Sequence, residues 1–209
     1  MNTPLNPFSR IDETADENFY SYPRLVVHID DGAIAKVRDA YHKRIAHGAA
    51  ILDLMSSWRS HLPEELSPAR VTGLGLNRAE MEDNPALTEI VVHNVNTAPR
   101  LPFDDASFDA AVMTVSVQYL THPVEVFADV ARVLRPARPF IVTFSNRMFP
   151  TKAIALWRAA NDEQRVAIVR RYFELSGGFA DVEVVSDEDG ESAASDPIWV
   201  VTGYTKVSA

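Results

Sequence analysis

The residues of this chain best suited to chemistry gather first between Asp53 and His61, in the string Asp53-Leu54-Met55-Ser56-Ser57-Trp58-Arg59-Ser60-His61. Hydroxyls, an indole and an imidazole lie side by side there. Ser56 and Ser57 can cap a helix or donate hydroxyls to a ligand, Trp58 can pack or stack, and His61 can sit in solvent or handle a proton near neutral pH. A second group, Thr114, Val115, Ser116 and Tyr119, closes one long apolar run, and Ser145, Asn146 and Arg147 close another. Asn18 to His28 (NFYSYPRLVVH) is dense in aromatics and runs into Asp30 and Asp31. This inventory serves binding and orientation better than covalent catalysis. The chain has no cysteine, hence no thiolate nucleophile, disulfide or thiolate zinc site. It contains no serine-hydrolase elbow, P-loop or HExxH site. His28 with Asp30 and Asp31, or with His61, would hold a metal only if the fold gathered them; no metal is expected.

The elements that must position these groups can be read from periodicity. The polar turn Asp104 to Ser107 feeds an apolar run from Phe108 to Val117; Val126, Phe127, Val130, Val133 and Leu134 then recur at helical spacing. The turn Arg135-Pro136-Ala137-Arg138 leads to a second apolar run, Phe140 to Phe144. Strand, helix, strand with uninterrupted apolar strands belongs in a parallel sheet covered on both faces, joined by a right-handed crossover. Upstream, Met1 to Glu17 is polar, lacks periodicity and reads as a mobile or loosely draped arm. Ile34, Val37, Tyr41 and Ile45 mark a helix ending at Gly48. Ala49 to Met55, Arg70 to Leu76 and Glu89 to Asn96 read as strands. Asn77 starts a short helix to Asp83. Ala153 to Leu175 is helical with a break near Asn161-Asp162, and ends at Gly177-Gly178. Asp181 to Ser186 and Ile198 to Thr205 form a closing hairpin around the acidic loop Asp187 to Ser195.

The strings LPF-DD-SFD-A-V, YL-P--VF-DV-RVL-P and FIVTFSNR resemble the second half of the class I S-adenosylmethionine (SAM)-dependent methyltransferase family, in the type 11-like branch. The resemblance implies an α/β, Rossmann-like, seven-stranded, mostly parallel sheet of order 3-2-1-4-5-7-6. Helices would lie on both faces, with an N-terminal helical and aromatic lid. It implies two regions, an arm and lid helix over 1–48 and a methyltransferase-like unit over 49–209. The family's first strand leads to a D-x-G-x-G-x-G loop. Here Asp53 is kept, while Met55, Ser57 and Arg59 take the glycine positions. The family's ribose-binding acid falls on Gly75, with Asn77 beside it, and its adenine-binding aspartate on Asn94, whose amide oxygen can accept the same bond. Val95 would line the adenine slot. The RVL-x-P-G-G turn has Ala137 and Arg138 for its glycines.

The implied cofactor is SAM, held by Asp53, Met55, Ser56, Ser57, Gly75, Asn77, Asn94, Val95, Thr114, Val115 and Ser116. Tyr20, Arg24, Asp31, Trp58, Tyr119, Asn146 and Arg147 would contact substrate, with His28 and His61 as candidate proton-handling residues. At the entrance two readings stand: Asp30 or Asp31 as a helix cap with core aromatics, or Phe19, Tyr20, Arg24, His28 and Asp31 as a lid. Two functions stand as well. One is a methyltransferase of small molecules with a rebuilt cofactor loop. The other is a methyltransferase-fold binding or regulatory module without methyl transfer.

The chain's 209 residues suffice for one domain with its own core. Apolar content of 46% and charged content of 23% are those of a globular protein. A net charge of −9 and a pI near 5.1 argue against nucleic-acid or anionic-membrane partners. No apolar run has the length of a membrane span and the first residues do not read as a signal peptide, so a cytoplasmic location is expected. No dimer signal is visible.

Overall fold

The computed structural model describes residues 6–185 and 195–207. In chain order the elements are α1 Asp16–Phe19, α2 Asp31–Arg44, β1 Ala50–Leu54, β2 Arg70–Gly75, α3 Arg78–Glu82, β3 Glu89–Val92 and β4 Ala110–Thr114. Then follow α4 Pro123–Val133, β5 Pro139–Phe144, α5 Ala155–Ala159, α6 Asp162–Ser176, β6 Phe179–Val185 and β7 Trp199–Thr205. The strands form a seven-stranded sheet in the order β3-β2-β1-β4-β5-β7-β6. The pairs β1–β2, β1–β4, β2–β3 and β4–β5 are parallel, while β7 runs antiparallel to both β5 and β6. This is the sheet order expected from the resemblance.

Strand alternation divides the core in two. Ile51, Val71, Ala110, Val112 and Ile141 meet Ala33, Val37, Ala40 and Tyr41 of α2 on one face. Leu52, Leu74, Ala111, Met113 and Val142 meet Val126, Phe127, Val130, Val169 and Phe173 of α4 and α6 on the other. Covering on both faces is why the strands read as continuous apolar runs. Phe127 anchors the second layer, 4.9 Å from Phe140 and 4.8 Å from Phe173, ring centre to ring centre.

The helix ends follow local chemistry. Asp30, not Asp31, caps α2, accepting from the Ala33 N–H at 2.8 Å. Asn161 and Gln164 form a reciprocal capping box that opens α6 at the expected break, and Gly177 closes it at φ 72°. The third strand is shorter than expected: the chain leaves the sheet after the His93 N–H donates to Gly75 O at 3.0 Å. The loop 187–194 and Ser186 lie outside the described residues.

Residues 6–17 are not loosely draped. The Lys152 ammonium, fully buried, donates to the Thr14 carbonyl at 2.7 Å and the Asp12 carbonyl at 3.3 Å, and pairs with Asp16 at 3.4 Å. The Ala155 N–H donates to Ser9 O at 2.7 Å. An arm without periodicity is ordered here because a buried cation downstream needs its carbonyls and carboxylates.

Candidate functional site

A cavity of about 400 Å³ opens at the carboxyl ends of β1, β2 and β4, where open α/β sheets bind ligands. Its roof is the segment from Asp16 to His28, together with Arg147, Met148 and Phe149.

The loop leaving β1 makes the floor. Met55 adopts φ 57°, the left-handed conformation that glycine takes without penalty. The family's first glycine position therefore keeps its backbone turn and adds a thioether to the cavity wall, at a cost of about 1–2 kcal/mol. Ser56 and Ser60 both donate their hydroxyls to Asp53 Oδ2, each at 2.6 Å. Burial disfavours the Asp53 charge more than these donors favour it, so its pKa is pushed up to about 6. The Ser56 N–H donates to Leu74 O at 2.8 Å, which lays this loop across the end of β2. A Cβ on Gly75 would lie 2.2 Å from the Ser56 carbonyl oxygen. The ribose-binding acid of the family pattern is thus excluded by backbone packing.

Helix α3 supplies another acid instead. Asn77 caps it, accepting from the Glu80 N–H at 3.1 Å and donating to Tyr20 O at 2.8 Å. The Glu80 carboxylate accepts from the Arg24 N–H and from the Ser57 hydroxyl, each at 2.6 Å. One buried side chain therefore ties the roof to the floor loop.

In the roof, the Arg24 guanidinium carbon sits 4.4 Å above the Phe19 ring, with Tyr20 and Phe149 further round it. His28 meets Phe149 edge-on at 5.0 Å. Its pKa is lowered, chiefly by burial and also by Arg24, against the opposing pull of Glu80. The Phe149 N–H donates to the Tyr119 hydroxyl at 2.8 Å. Asn94 donates to Glu17 at 2.7 Å and accepts from the Asn96 N–H at 2.9 Å. At the end of β4 Val115 holds φ 48°, an outlier for a β-branched residue, directly on the cavity wall.

Most of the residues read from the sequence line this cavity: Met55, Ser56, Ser57, Gly75, Asn77, Asn94, Val95, Thr114, Val115 and Ser116, with Tyr20, Arg24, His28, Tyr119 and Arg147. Five expected contacts, Asp53, His61, Trp58, Asp31 and Asn146, are not among its lining residues. Asp53 is buried behind Ser56 and Ser60. His61 lies beyond the loop, its pKa lowered to about 4 by burial and by Arg38 and Arg59. Trp58 donates to Val26 O at 2.9 Å and stacks under the Arg59 guanidinium at 3.9 Å. Asp31 and Asn146 are exposed. Asp16, Glu80, His93, Asn96, Met148 and Phe149 line the cavity without having been read as site residues. The Asn77-x-x-Glu80 spacing was visible, but it reads as a capping pair, whereas the Glu80 side chain turns to Ser57 and Arg24. Among the described residues no group of three or more His, Asp or Glu side chains is arranged to hold a metal ion. No helix among them is long and apolar enough to cross a membrane.

Residues 57–142 match the family model described as a methyltransferase domain. Over these residues the chain is similar to class I SAM-dependent methyltransferases. It is 31% identical over 132 residues to a phthiotriol/phenolphthiotriol dimycocerosates methyltransferase of Mycobacterium ulcerans, covering 57% of this chain and 46% of the relative. A Mycobacterium tuberculosis methyltransferase of the same name is 28% identical over 159 residues, covering 73% and 52%. The chain thus spans about half the length of the curated relatives it matches. Among solved structures, the [4+2]-cyclase SpnF superposes with a TM-score of 0.63 at 18% identity, covering 92% of this chain and 91% of that one. A SAM-dependent methyltransferase of Thermotoga maritima, described as a possible histamine N-methyltransferase, gives 0.58 at 15% identity, covering 83% and 90%. At these identities the superpositions speak for the fold.

Proposed function

We propose that the protein is a SAM-dependent methyltransferase of a small molecule, with an atypical cofactor loop. The observation that carries this reading is the roofed cavity at the strand ends, in a chain matched by a methyltransferase family model. A volume of about 400 Å³ falls in the range of small-ligand sites. The residues present fit the cofactor. The Ser116 hydroxyl oxygen is buried on the cavity wall without a partner, ready for a ligand group. Asn94 and Val95 suit an adenine, and Met55 keeps the turn that brings backbone to the ligand. The ribose end departs from the family pattern, because Ser56 occupies the space of the acid.

When bound, SAM supplies an electrophilic methyl group for in-line displacement. The chain's own part is to hold, orient and desolvate. Met55, Ser56, Ser57, Asn77, Asn94, Val95 and Thr114 to Ser116 would hold the cofactor. Tyr20, Arg24, Tyr119 and Arg147 would enclose the acceptor. His28, whose lowered pKa leaves its imidazole neutral at pH 7, would take a proton from an acceptor hydroxyl or amine at a ring nitrogen. Glu80 favours the imidazolium that results. The relatives are named for phthiotriol and phenolphthiotriol dimycocerosates, which supports a small-molecule acceptor. A cytoplasmic enzyme without nucleic-acid or membrane partners fits the net charge of −9.

A second reading, a ligand-binding module without methyl transfer, is favoured by the blocked position at Gly75. Calorimetric titration with SAM and S-adenosylhomocysteine separates the two. Micromolar binding, weakened by Asn94→Ala, is expected. No heat and no thermal shift at millimolar ligand would overturn the methyltransferase reading in favour of the second.

A further inference from the structure

The Arg24 guanidinium lines the cavity, and its Nη1 is buried with no hydrogen-bond partner. Among the described residues, none of the ion pairs engages it. The fully buried cation near the cavity, Lys152, is by contrast matched by Asp16 and Asp12. At the cavity rim, Arg147 pairs with Asp196 at 2.9 Å. A guanidinium nitrogen closed off from water without a hydrogen-bond partner is costly, and the fold retains this one.

Its geometry leaves it free to take a partner. The face of the guanidinium is spent on the Phe19 ring at 4.4 Å. Its N–H donors lie in the guanidinium plane, so aromatic stacking and an edge-on ion pair do not compete. The nearby Glu80 carboxylate is already committed to the Arg24 N–H and the Ser57 hydroxyl. Its charge partly offsets that of Arg24 at longer range, which selects against a dianion such as a phosphate monoester. A single negative charge is what the site balances, and a carboxylate matches the fork of donors.

We propose that the cavity is a receptor for a carboxylate-bearing ligand, whose carboxylate Arg24 takes through the edge of its guanidinium. This deepens the assignment of the cavity as the ligand site and rests on it. The carboxylate has two sources, the amino-acid end of the cofactor or the acceptor molecule. In either case Arg24 sets which ligands the roof admits.

The test compares acids with neutral counterparts in two arms. In the first, the protein is titrated with S-adenosylhomocysteine and with its decarboxylated amine analogue. In the second, it is titrated with benzoate and benzamide, with and without saturating S-adenosylhomocysteine. A preference for the acid of about tenfold or more is expected in one arm, as for hydrogen bonds to charged groups. It should vanish in Arg24→Gln and persist in part in Arg24→Lys, which keeps the charge but not the fork. The arm that shows the preference names the source. Unchanged thermal midpoints of the two variants establish that they fold. No acid preference in either arm, or one that survives Arg24→Gln, overturns the proposal. If neither nucleoside binds the parent protein, the methyltransferase reading fails, and benzoate against benzamide on the free protein still decides the role of Arg24.

Discussion

Placing a side chain at Gly75 should unseat the loop that floors the cavity. A Cβ there would stand 2.2 Å from Ser56 O and 3.1 Å from Met81 Sδ. The sulfur can swing aside; the backbone carbonyl cannot move alone. Lifting it breaks the 2.8 Å bond from the Ser56 N–H to Leu74 O and disturbs the Ser56 hydroxyl on Asp53. Overpacking costs about 1–3 kcal/mol and a lost hydrogen bond about 1, so Gly75→Ala should destabilise by about 2–4 kcal/mol. For a domain of this size that is a fall in Tm of roughly 5–15 °C. Calorimetric melting of Gly75→Ala beside Gly73→Ala gives the comparison. A Cβ on Gly73 would meet the flexible end of Leu87 at 2.4 Å, which can rotate away, so its penalty should be less than half. Gly75→Asp, which writes the family acid back, should weaken binding of S-adenosylhomocysteine. The reasoning is refuted if Gly75→Ala melts within about 2 °C of the parent, or if Gly75→Asp binds the nucleoside more tightly.

Other consequences follow from the buried charges. Because the Asp53 pKa rises from 3.8 to about 6 on folding, the folded chain holds this proton more tightly than the unfolded one, and stability falls as pH rises through that window. Asp53→Asn keeps an acceptor for both serines and removes the charge. Urea unfolding at about pH 4.5 and about pH 7 should show a flatter pH dependence and no loss of stability at the higher pH; an unchanged slope would refute this. Lys152→Met leaves the carbonyls of Asp12 and Thr14 unpaired and removes one of the two cations on Asp16, which keeps Arg10 at 2.5 Å, so it should cost about 1–3 kcal/mol. Limited proteolysis should then cut within residues 6–17, which stay protected in the parent. His61→Asn should leave binding and activity unchanged above about pH 6, since a ring titrating near 4 and set apart from the cavity is neutral throughout that range. A displaced alkaline or neutral limb in the pH profile would return His61 to the site.

The sheet was legible because its signal is local. Ala110 to Thr114 and Pro139 to Phe144 are buried on both faces, so their apolar runs are continuous, and Val126, Phe127, Val130 and Val133 repeat at the helical period because only one face of α4 is covered. Asn161 and Gly177 announced the ends of α6 through their own side-chain and backbone chemistry. The residues at the strand ends, Thr114 to Ser116 and Asn94-Val95, could be placed at the site because a parallel sheet delivers its carboxyl ends to one crevice.

Direction and partnership were not legible. Asp53 and His61 have the residue types of a site, yet one turns inward to two hydroxyls and the other lies behind the loop between two arginines. Glu80 and Asp16 enter the cavity from a short helix and from an arm without periodicity. Only contacts across distant parts of the chain, Glu80 to Arg24 and Asp16 to Lys152, bring them there. The sequence by itself determined which segments are strands and helices, since periodicity and caps act over a few residues. The tertiary structure alone decided which polar groups face the ligand, since a buried charge turns toward whatever partner the fold sets within reach.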